Sequence, residues 1–366
     1  MDIVIQRETL LKPLQTVGGV VERRQTLPVL ANLLVVAGEN GLSITGTDLE
    51  VEMVAEVKVD QAENGEFTLP ARKFLDICRA LPEGAVLNIK VEENRAVIRS
   101  GRSRYALATL PANEFPSIES MEDEFTVELT ESSLKTLIDQ TQFSMAHQDV
   151  RYYLNGLLLE LRQGTIRAVA TDGHRLALCE QPCTISAQEE RQIIVPRKGV
   201  VELGKLLESS EEKVTLRVGA NHVQVRLPAV TFTSKLIDGR FPDYERVIPA
   251  KSPNTLSCTR DAARQALVRA SVLSNEKYRG VRLQLSKDLL RATVHNPEQE
   301  EAEEELEVSY TGEELEIGFN VSYLLDALSA VKSESVAMQM ADPNSSCLIQ
   351  GQDEPHCKYV VMPMRL

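Results

Sequence analysis

The chain has 366 residues, too many for one compact hydrophobic core, so two or three domains are expected. Hydrophobic residues make up 43% and charged residues 26% of the chain, which excludes a disordered or collagenous protein. Forty Lys and Arg residues against 54 Asp and Glu give a net charge of −14. The chain as a whole therefore repels nucleic acid unless its basic residues gather on one surface.

The six cysteines lie at positions 78, 179, 183, 258, 347 and 357, and none of them forms a Cys-x-x-Cys pair. This spacing supports neither a zinc ribbon nor a thioredoxin-type motif, so we expect a reducing cytoplasmic environment and no metal. The first residues lack the apolar core of a signal peptide, and no apolar run reaches about 18 residues. We therefore expect no contact with a membrane.

A faint internal repeat runs through the chain. Residues 8–14 (ETLLKPL) resemble residues 131–137 (ESSLKTL) at an offset of 123, and residues 260–267 (RDAARQAL) fall near the place of a third copy. Apolar residues in these segments recur at steps of three and four, which is typical of the buried stripe of a helix. Apolar runs that predict strands follow at 33–36, 157–159 and 281–285.

The second half of each copy repeats more clearly. Residues 67–78, 193–204 and 317–328 align at offsets of 126 and 124, and each has the pattern of strand, turn and helix. Pro70 and Pro196 suit a helix start, and Asn320 at the same place is a good N-cap. The pattern predicts an α+β fold of three repeated domains, each with two helices packed on antiparallel sheets of about eight short strands. Their expected bounds are 1–120, 121–244 and 245–366.

The six predicted helices span residues 7–18, 70–80, 131–147, 196–207, 260–275 and 320–332. They carry thirteen basic and seven acidic residues, a surplus of six positive charges, so the rest of the chain holds −20. One explanation is that Lys and Arg are common on helix surfaces in general. A segregation of charge of this size instead indicates that a polyanion binds along the helices. No zinc-finger, basic-zipper, RNP or helix-turn-helix pattern accompanies it, which indicates phosphate contacts without choice of base sequence.

Signatures of catalysis are missing from the sequence, which has no P-loop, no nucleophile elbow and no HExxH motif. Thr-Asp pairs end equivalent predicted strands at Asp48 and Asp172, but the third copy has His295 and Asn296 there. Such aspartates usually form turns. We therefore expect no catalytic residue, metal or cofactor, and keep as the alternative a metal-dependent nucleic-acid enzyme that uses Asp48 and Asp172.

Seven glutamates crowd the eleven residues 297–307, and the first repeat carries Arg95, Arg99, Arg102 and Arg104 on its late predicted strands. A solvated strand edge is one explanation of the acidic run. Opposite charges near the two ends of one chain also suit a head-to-tail contact between subunits, which either closes into a ring or grows into a filament.

Several long motifs occur in order: 171–176 (TDGHRL), 194–199 (IVPRKG), 238–244 (DGRFPDY), 274–281 (SNEKYRGV), 296–304 (NPEQEEAEE) and the terminal 359–366 (YVVMPMRL). With the three-fold repeat, they make the whole chain resemble the bacterial sliding clamps, the beta subunits of DNA polymerase III. The resemblance implies a non-enzymatic DNA polymerase processivity factor, a homodimer closed head to tail into a ring whose twelve helices line a hole for duplex DNA. Helices about 10 Å apart leave a hole on the order of 28 Å, wide enough for a duplex about 20 Å across.

The resemblance also implies functional residues. It assigns DNA contact to Arg24, Arg72, Gln148, Tyr152 and Tyr153, with core packing as the alternative for the two tyrosines. It places an apolar, methionine-rich pocket for partner peptides between the second and third domains. The implied pocket residues are Leu154, Thr171, Gly173, His174, Arg175, Leu176, Pro242, Arg246, Val247, Tyr278, Asn320, Tyr323, Ser346, Val360, Met362, Pro363, Met364 and Arg365.

For the dimer contact the resemblance assigns one set of residues in the first domain and one in the third. These are Lys73, Arg102, Arg104 and Tyr105, and Val272, Leu273, Glu298, Glu300, Glu301, Glu303 and Glu304. Two features depart from the family pattern: Tyr278, where an aromatic residue without a hydroxyl is expected, and the variable stretch 344–358.

The implied partners are a second copy of the chain and double-stranded DNA bound without sequence specificity. They also include the DNA polymerase III alpha subunit, the clamp loader delta subunit, other DNA polymerases and repair proteins. The implied location is the cytoplasm, at the nucleoid. A repeat scaffold that binds proteins but never encircles DNA is a third hypothesis.

Overall fold

The computed structural model describes residues 1–22, 27–38, 41–59, 61–92, 94–118, 125–185, 190–249 and 252–365. Six α-helices lie within them: α1 Arg7–Val17, α2 Ala71–Ala80, α3 Glu131–Asp139, α4 Arg197–Leu206, α5 Arg260–Ser271 and α6 Val321–Ala330. Short 3-10 helices cover Pro28–Ala31, Ala112–Glu114, Gln142–Ser144, Tyr152–Leu154 and Glu245–Val247. None of these helices is both long enough and apolar enough to span a membrane.

The strands fall into three successive sets. The first is β1 Asp2–Gln6, β2 Asn32–Gly38, β3 Gly41–Thr47, β4 Val51–Val57, β5 Gln61–Ala62, β6 Gly65–Pro70, β7 Val86–Glu92, β8 Arg95–Ser100 and β9 Ser103–Ala108. The second is β10 Phe125–Thr130, β11 Gly156–Arg162, β12 Thr165–Thr171, β13 Arg175–Pro182, β14 Thr184–Ile185, β15 Arg191–Pro196, β16 Lys213–Val218, β17 His222–Arg226 and β18 Val230–Lys235. The third is β19 Asn254–Thr259, β20 Gly280–Ser286, β21 Leu289–His295, β22 Glu301–Glu307, β23 Ser309–Thr311, β24 Leu315–Asn320, β25 Ser335–Met340, β26 Cys347–Gly351 and β27 Cys357–Val361.

Strands and helices recur at nearly constant spacing along the chain. β2, β11 and β20 begin at residues 32, 156 and 280, and α2, α4 and α6 begin at 71, 197 and 321. Within the described residues each copy runs strand, helix, five strands, helix and three strands. The predicted α+β fold with a three-fold repeat is therefore confirmed, with one strand more per copy than expected. The expected domain bound at residues 120 and 121 lies outside the described residues.

The helix α3 is shorter than the predicted span 131–147, since it ends at Asp139. Thr141 donates its hydroxyl to the Leu137 carbonyl at 2.5 Å, which occupies a carbonyl of the last turn. The backbone N–H of Ala146 then donates to the Leu154 carbonyl at 3.0 Å. Apolar periodicity continues past Asp139, but the backbone leaves the α-helix there because the Thr141 N–H donates to the Ile138 carbonyl, three residues back, at 3.1 Å.

The helix α5 also ends early, at Ser271 in place of residue 275. The Ser271 hydroxyl donates to the Val268 carbonyl at 2.8 Å, and the Ser274 N–H donates back to the Ser271 carbonyl at 3.1 Å. Over the six helices as observed, twelve basic and seven acidic residues leave five positive charges in excess, so the rest of the chain carries −19. The predicted segregation of charge thus persists, reduced by one charge because Lys332 lies beyond α6.

The described residues form two compact units. The first contains Met1–Glu131, Ile185–Ala187 and Val201–Leu236. Its strands form a five-stranded sheet in the order β5-β1-β7-β8-β9 and a nine-stranded sheet in the order β14-β10-β16-β17-β18-β4-β3-β2-β6. The helix α1 packs on α2 and on β3 and β4.

The second unit contains Ser132–Thr184, Gln188–Val200 and Ile237–Leu366. Its nine-stranded sheet has the order β15-β11-β12-β13-β27-β26-β25-β19-β23, and a four-stranded sheet has the order β22-β21-β20-β24. The helix α5 packs on α6 and across β21 and β22.

Each nine-stranded sheet joins two successive copies through one antiparallel strand pair. In the first unit β18 pairs with β4, and Val230 lies opposite Ala55. In the second unit β27 pairs with β13, and Cys357 lies opposite Cys179. In both cases the ninth strand of one copy pairs with the fourth strand of the copy before it.

Two strands remain unmatched by this rule, the ninth strand of the first copy, β9, and the fourth strand of the third copy, β22. Among the described residues, β9 is the outer strand of the five-stranded sheet and β22 is the outer strand of the four-stranded sheet. Each therefore offers a row of backbone N–H and carbonyl groups to a further strand.

The pairing of β18 with β4 buries Phe232 opposite Met53, and neither side chain has more than 1% exposure. We expect Phe232→Ala to lower the free energy of unfolding by about 3–5 kcal/mol, because the cavity cannot close completely. Val86→Ala, at a side chain with 49% exposure, is the control and should change it by less than about 0.5 kcal/mol. Chemical denaturation measures both, and equal losses would contradict the assigned core.

Candidate partner-binding pocket and DNA-contact residues

A tight turn between β12 and β13 presents several residues of the predicted pocket. Oδ1 of Asp172 accepts the backbone N–H groups of His174 at 2.9 Å and Arg175 at 3.0 Å. The Thr171 hydroxyl donates to the Arg175 carbonyl at 2.6 Å and accepts the Gly173 N–H at 3.1 Å. Gly173 has a φ of +89°, a backbone conformation that other residues adopt only with strain, so the turn favours glycine. The turn predicted from the sequence is confirmed.

The same turn occurs in the first copy at Asp48. Its Oδ1 accepts the N–H groups of Glu50 at 2.9 Å and Val51 at 2.8 Å, and the Thr47 hydroxyl donates to the Val51 carbonyl at 2.9 Å. The described residues include one group of side chains placed closely enough to hold a metal, and neither Asp48 nor Asp172 belongs to it. Both aspartates therefore serve the turn, which argues against the metal-dependent enzyme.

Arg175 ties the turn to two other segments of the second unit. Its guanidinium donates to Oδ2 of Asp172 at 3.1 Å, to the Phe143 carbonyl at 2.7 Å, and to Asp326 of α6. The guanidinium carbon lies 4.6 Å from the centre of the Tyr323 ring, within the range of a cation–π contact. These contacts hold the side chain in one position, so Arg175 and Tyr323 present a fixed polar wall.

An apolar cluster lies beside this wall. Its buried members are Ala146, Leu154, Leu158, Val169, Leu176, Leu178, Ile194, Phe241, Tyr244, Leu348 and Val360, and Tyr153, Ile237, Val247 and Ile248 pack against it while partly exposed. Leu176 of β13 lies directly opposite Val360 of β27, so the junction between the two copies forms the floor. The structure thus brings together the predicted pocket residues Leu154, Leu176, Val247 and Val360.

The end of the chain runs past the same turn. The Met362 N–H donates to the His174 carbonyl at 2.9 Å, and the Met364 N–H donates to the Gly318 carbonyl at 2.8 Å. Both methionines are half-buried, whereas Arg365 is exposed. Unbranched methionine side chains adapt to differently shaped ligands. The C-terminal segment therefore lies where an adaptable side of the predicted pocket is expected.

The other predicted pocket residues lie around this centre or beside it. Asn320 caps α6 by accepting the Ser322 N–H at 2.9 Å, and Ser346 and Pro363 are half-buried. Pro242 and Arg246 are exposed. A separate cavity of about 540 Å³ is lined by three of the predicted residues, Tyr278, Met364 and Arg365, together with Asn275, Gly280, Arg282, Thr293, Val294 and His295.

Comparison with known proteins gives the family. Models of the DNA polymerase III beta subunit match the chain with the N-terminal domain at residues 1–119, the central domain at 128–243 and the C-terminal domain at 245–365. The beta sliding clamps of Pseudomonas aeruginosa and Escherichia coli K12 are 54% and 52% identical over 367 residues, covering 100% of each chain. The crystal structure of the DNA polymerase III subunit beta from Pseudomonas aeruginosa matches with a TM-score of 0.98 at 53% identity, again over 100% of each chain.

The chain belongs to the DNA polymerase III beta subunit family. Sliding clamps of this family are processivity subunits without a catalytic role, so the prediction of a non-enzymatic replication factor is confirmed. A further Pseudomonas aeruginosa clamp structure, with a TM-score of 0.97, 54% identity and 100% coverage of each chain, is bound to griselimycin.

A partly buried charge network beneath the apolar cluster of this clamp escaped the sequence analysis. Arg167 donates to Glu180, to the Tyr244 hydroxyl at 2.7 Å and to Glu245 at 3.0 Å, and Tyr244 donates to Glu160 at 2.6 Å. Burial raises the pKa of Tyr244, so its hydroxyl stays protonated and keeps donating. The network fixes the segment that carries Pro242 and Val247. The sequence signal of this network is one charged residue at paired positions of three adjacent strands.

The predicted DNA-contact residues of the clamp differ in exposure. Arg72 on α2, Gln148 and Tyr152 are exposed, and Gln148 has a φ of +55°. Tyr153 is half-buried against the apolar cluster, and its ring centre lies 5.7 Å from that of Tyr152. The alternative role of core packing therefore applies to the part of the Tyr153 side chain that contacts the cluster. Arg24 lies outside the described residues.

The predicted dimer-contact residues lie on or near the two unmatched strands. Lys73, Arg102 and Arg104 are exposed and Tyr105 is half-buried. Val272 has 77% exposure, beside the half-buried Leu273.

The acidic members of this set lie on β22 or just before it, and Glu298, Glu300, Glu301 and Glu303 are exposed. Glu304 accepts two hydrogen bonds from Arg269 of the same chain, at 2.9 and 2.7 Å, and Glu303 lies 3.5 Å from Arg291. Such exposed ion pairs contribute little to stability, so these carboxylates can exchange partners.

The loop that carries Gln148 and Tyr152 depends on Asp149. Arg151 donates to its carboxylate through Nε at 3.0 Å, through an NH2 at 2.8 Å and through the backbone N–H at 2.8 Å. The hydrogen bonds from Arg151 lower the pKa of Asp149 from 3.8 to about 2.

Because this pKa is lowered on folding, its contribution to stability is complete above pH 3.8 and disappears as the pH falls through about 2. We therefore expect the carboxyl carbon resonance of Asp149 to stay constant from pH 7 down to about 3 in NMR titrations. Arg151→Gln should raise the midpoint, whereas the control Arg246→Gln should leave it in place. A midpoint in wild type near 3.8 would contradict the Arg151 contact.

Proposed function

We propose that two copies of this chain close head to tail into a ring that encircles duplex DNA and tethers polymerases to it. The observation that carries the proposal is the pairing rule inside the chain. The ninth strand of a copy pairs with the fourth strand of the preceding copy at both junctions, and only β9 and β22 are left without such a partner among the described strands. A second chain supplies β9 with a β22 strand and β22 with a β9 strand, as the rule requires.

The two internal junctions also give the register of this contact. In the first junction Thr231 lies opposite Val54. In the superposed repeats Arg104 takes the place of Thr231 and Glu303 takes the place of Val54, so Arg104 of one chain lies opposite Glu303 of the other chain. In the second junction Leu176 lies opposite Val360. The equivalent residues of the outer strands are residue 301 and Ala106, and pairing these two gives the same register as the first junction. This register also brings a second pair of opposite charges together, because Arg102 of one chain then faces Glu305 of the other chain.

The number of copies follows from the size of DNA. Six helices about 10 Å apart would close around a hole of roughly 10 Å, which excludes a duplex. Twelve helices leave on the order of 28 Å, so two chains are required. Because a closed ring holds DNA by topology, the phosphate contacts can be weak and mobile, and binding has no sequence preference.

The DNA-facing residues in this proposal are Arg24, Arg72, Gln148, Tyr152 and Tyr153. The excess of five positive charges on the helices, within a chain of net charge −14, supports a basic inner surface and an acidic exterior. Exposed arginines suit phosphates, and an exposed tyrosine on a loop can stack on an unpaired base. The location implied is the cytoplasm, at the nucleoid.

The pocket formed by the turn, the apolar cluster and the C-terminal segment binds short partner peptides. An apolar floor at Leu176 and Val360, the fixed Arg175 and two half-buried methionines match a site that anchors apolar side chains and adapts to several sequences. The proposed partners are the DNA polymerase III alpha subunit, the clamp loader delta subunit, other DNA polymerases and repair proteins. Griselimycin, bound by a Pseudomonas aeruginosa relative, is a chemical probe for the same pocket.

A charge swap tests the ring contact. Arg104→Glu puts a carboxylate opposite Glu303, so the dimer dissociation constant should rise about tenfold, and Glu303→Arg should do the same. The double variant restores the opposite charges and should recover the wild-type value in analytical ultracentrifugation.

Arg226→Glu, an exposed change on β17 at the position of the second copy equivalent to Arg99, is the matched control and should leave the dimer intact. Replacing Val272 and Leu273 together by Ala should give monomers. A double charge variant no tighter than either single variant would rule out the proposed register.

A second experiment tests the pocket. Deleting the last five residues removes the Met362 and Met364 contacts, and Val247→Glu puts a carboxylate against the apolar cluster, so both should weaken griselimycin binding at least tenfold in calorimetry. Val268→Glu, at an exposed side chain of α5, is the control and should bind as wild type. Retained affinity in both pocket variants, with the dimer intact, would show that the ligand binds elsewhere.

A further inference from the structure

A pair of cysteines lies at the junction between the second and third copies. Cys179 of β13 and Cys357 of β27 are opposite each other, 4.1 Å apart at Cα, and their sulfur atoms are joined. Their exposure is 0% and 1%. At the equivalent position of the other internal junction, Ala55 lies opposite Val230. The fold therefore does not need sulfur at this position, and the pair is a feature of this junction.

The position within the ladder gives solvent a route to the pair. The β13–β27 pairing extends from Arg175 opposite Val361 to Cys179 opposite Cys357, so the cysteines form its last rung. Beyond them, the Glu180 N–H donates to the His356 carbonyl at 3.0 Å, and turns precede β27, whereas β13 continues to Pro182 beside β12. Opening this end rung moves the start of β27 away from β13 and gives solvent access to the pair while β13 stays paired with β12, since terminal pairs open at the lowest cost.

A third side chain completes the group. One imidazole nitrogen of His356 and the two sulfurs lie within 4.8 Å of one another, and the imidazole is half-buried. A thiolate is the reactive form of cysteine, and a neighbouring imidazole can accept the thiol proton. The geometry therefore combines two facing sulfurs with a proton acceptor that reaches solvent.

We propose that Cys179 and Cys357 are a reversible thiol–disulfide pair, which locks the β13–β27 junction covalently when an oxidant such as a peroxide is present. One thiol transfers its proton to His356 and attacks the peroxide oxygen, which forms a sulfenic acid and releases the first water. The second thiol attacks that sulfur, the S–S bond forms, and the second water leaves. The two thiols lose two electrons and two protons, and the peroxide takes up both. A dithiol reductant reverses the step by exchange.

The lock connects residues 178 positions apart in the chain. Closing so long a loop restricts the unfolded chain strongly and holds β27 in register. The sulfurs project from the face of the sheet opposite to Leu178 and Val360, because side chains alternate along a strand. We therefore expect oxidation to stabilise the junction and to leave the shape of the peptide pocket unchanged.

The test compares the full chain after reduction and after treatment with hydrogen peroxide. The oxidised chain should lose two of its six titratable thiols, and non-reducing peptide mapping should join the peptides that contain Cys179 and Cys357. Its melting temperature should rise by about 5 °C, and the backbone amides of β27 should exchange more slowly with solvent. Griselimycin affinity should change less than twofold.

Variants separate the parts of the proposal. Cys179→Ser and Cys357→Ala should each abolish the thermal shift, whereas Cys183→Ser, at a half-buried cysteine outside the pair, should keep it. His356→Gln should slow disulfide formation about tenfold and reach the same end point.

Three results would overturn the proposal: six thiols remaining after peroxide treatment, a crosslink between other cysteines, or equal melting temperatures of the two forms. Stable protection of the two thiols by one equivalent of Zn²⁺ would instead identify a metal site. An unchanged oxidation rate in His356→Gln would remove the imidazole from the mechanism.

Discussion

The organisation of this clamp depends on one requirement, that the ninth strand of each repeat pairs with the fourth strand of another repeat. A sheet edge exposes a row of unpaired backbone groups, and each repeat has one such edge on its ninth strand and another on its fourth. The chain satisfies two of these pairs internally, through β18 with β4 and β27 with β13. Repeats that present complementary edges extend from copy to copy until the edges of β9 and β22 are matched.

The same junction that joins two copies also contributes to the proposed peptide pocket. Pairing of β13 with β27 puts Leu176 opposite Val360 and lets the Met362 N–H reach the His174 carbonyl. The turn at Asp172 fixes the approach of β13, and Arg175 connects that turn to α6. The proposed partner-binding surface therefore lies where the fold already needs a strand pair, and its stability is tied to that of the sheet.

Much of this architecture could be predicted from the sequence, because periodicity is a local property. The repeat spacing, the strand runs and the starts of the helices follow from apolar patterning, Pro70, Pro196 and the cap at Asn320. The ends of α3 and α5 could not be predicted in this way, since they depend on three-residue hydrogen bonds from Thr141 and Ser274 that patterning does not encode.

The site residues likewise divide into those that a short-range sequence pattern reveals and those that only the fold brings together. The turn at Asp48 and Asp172 is a short-range motif that the sequence reveals. The Arg167 network joins four segments through a half-buried guanidinium, and only the fold shows that Tyr244 and Glu180 both reach it. The facing cysteines are likewise 178 residues apart, so no spacing rule identifies them.

Retention on circular DNA tests the central claim, that two chains hold DNA by enclosing it. The protein is loaded onto nicked circular DNA by an ATP-driven clamp loader, and the complex is isolated at high salt, which weakens phosphate contacts. Cutting half of the sample with a restriction enzyme provides free ends. The account predicts that the clamp stays on the intact circle and is lost from the cut DNA. Equal retention on both, or loss from both, would contradict enclosure.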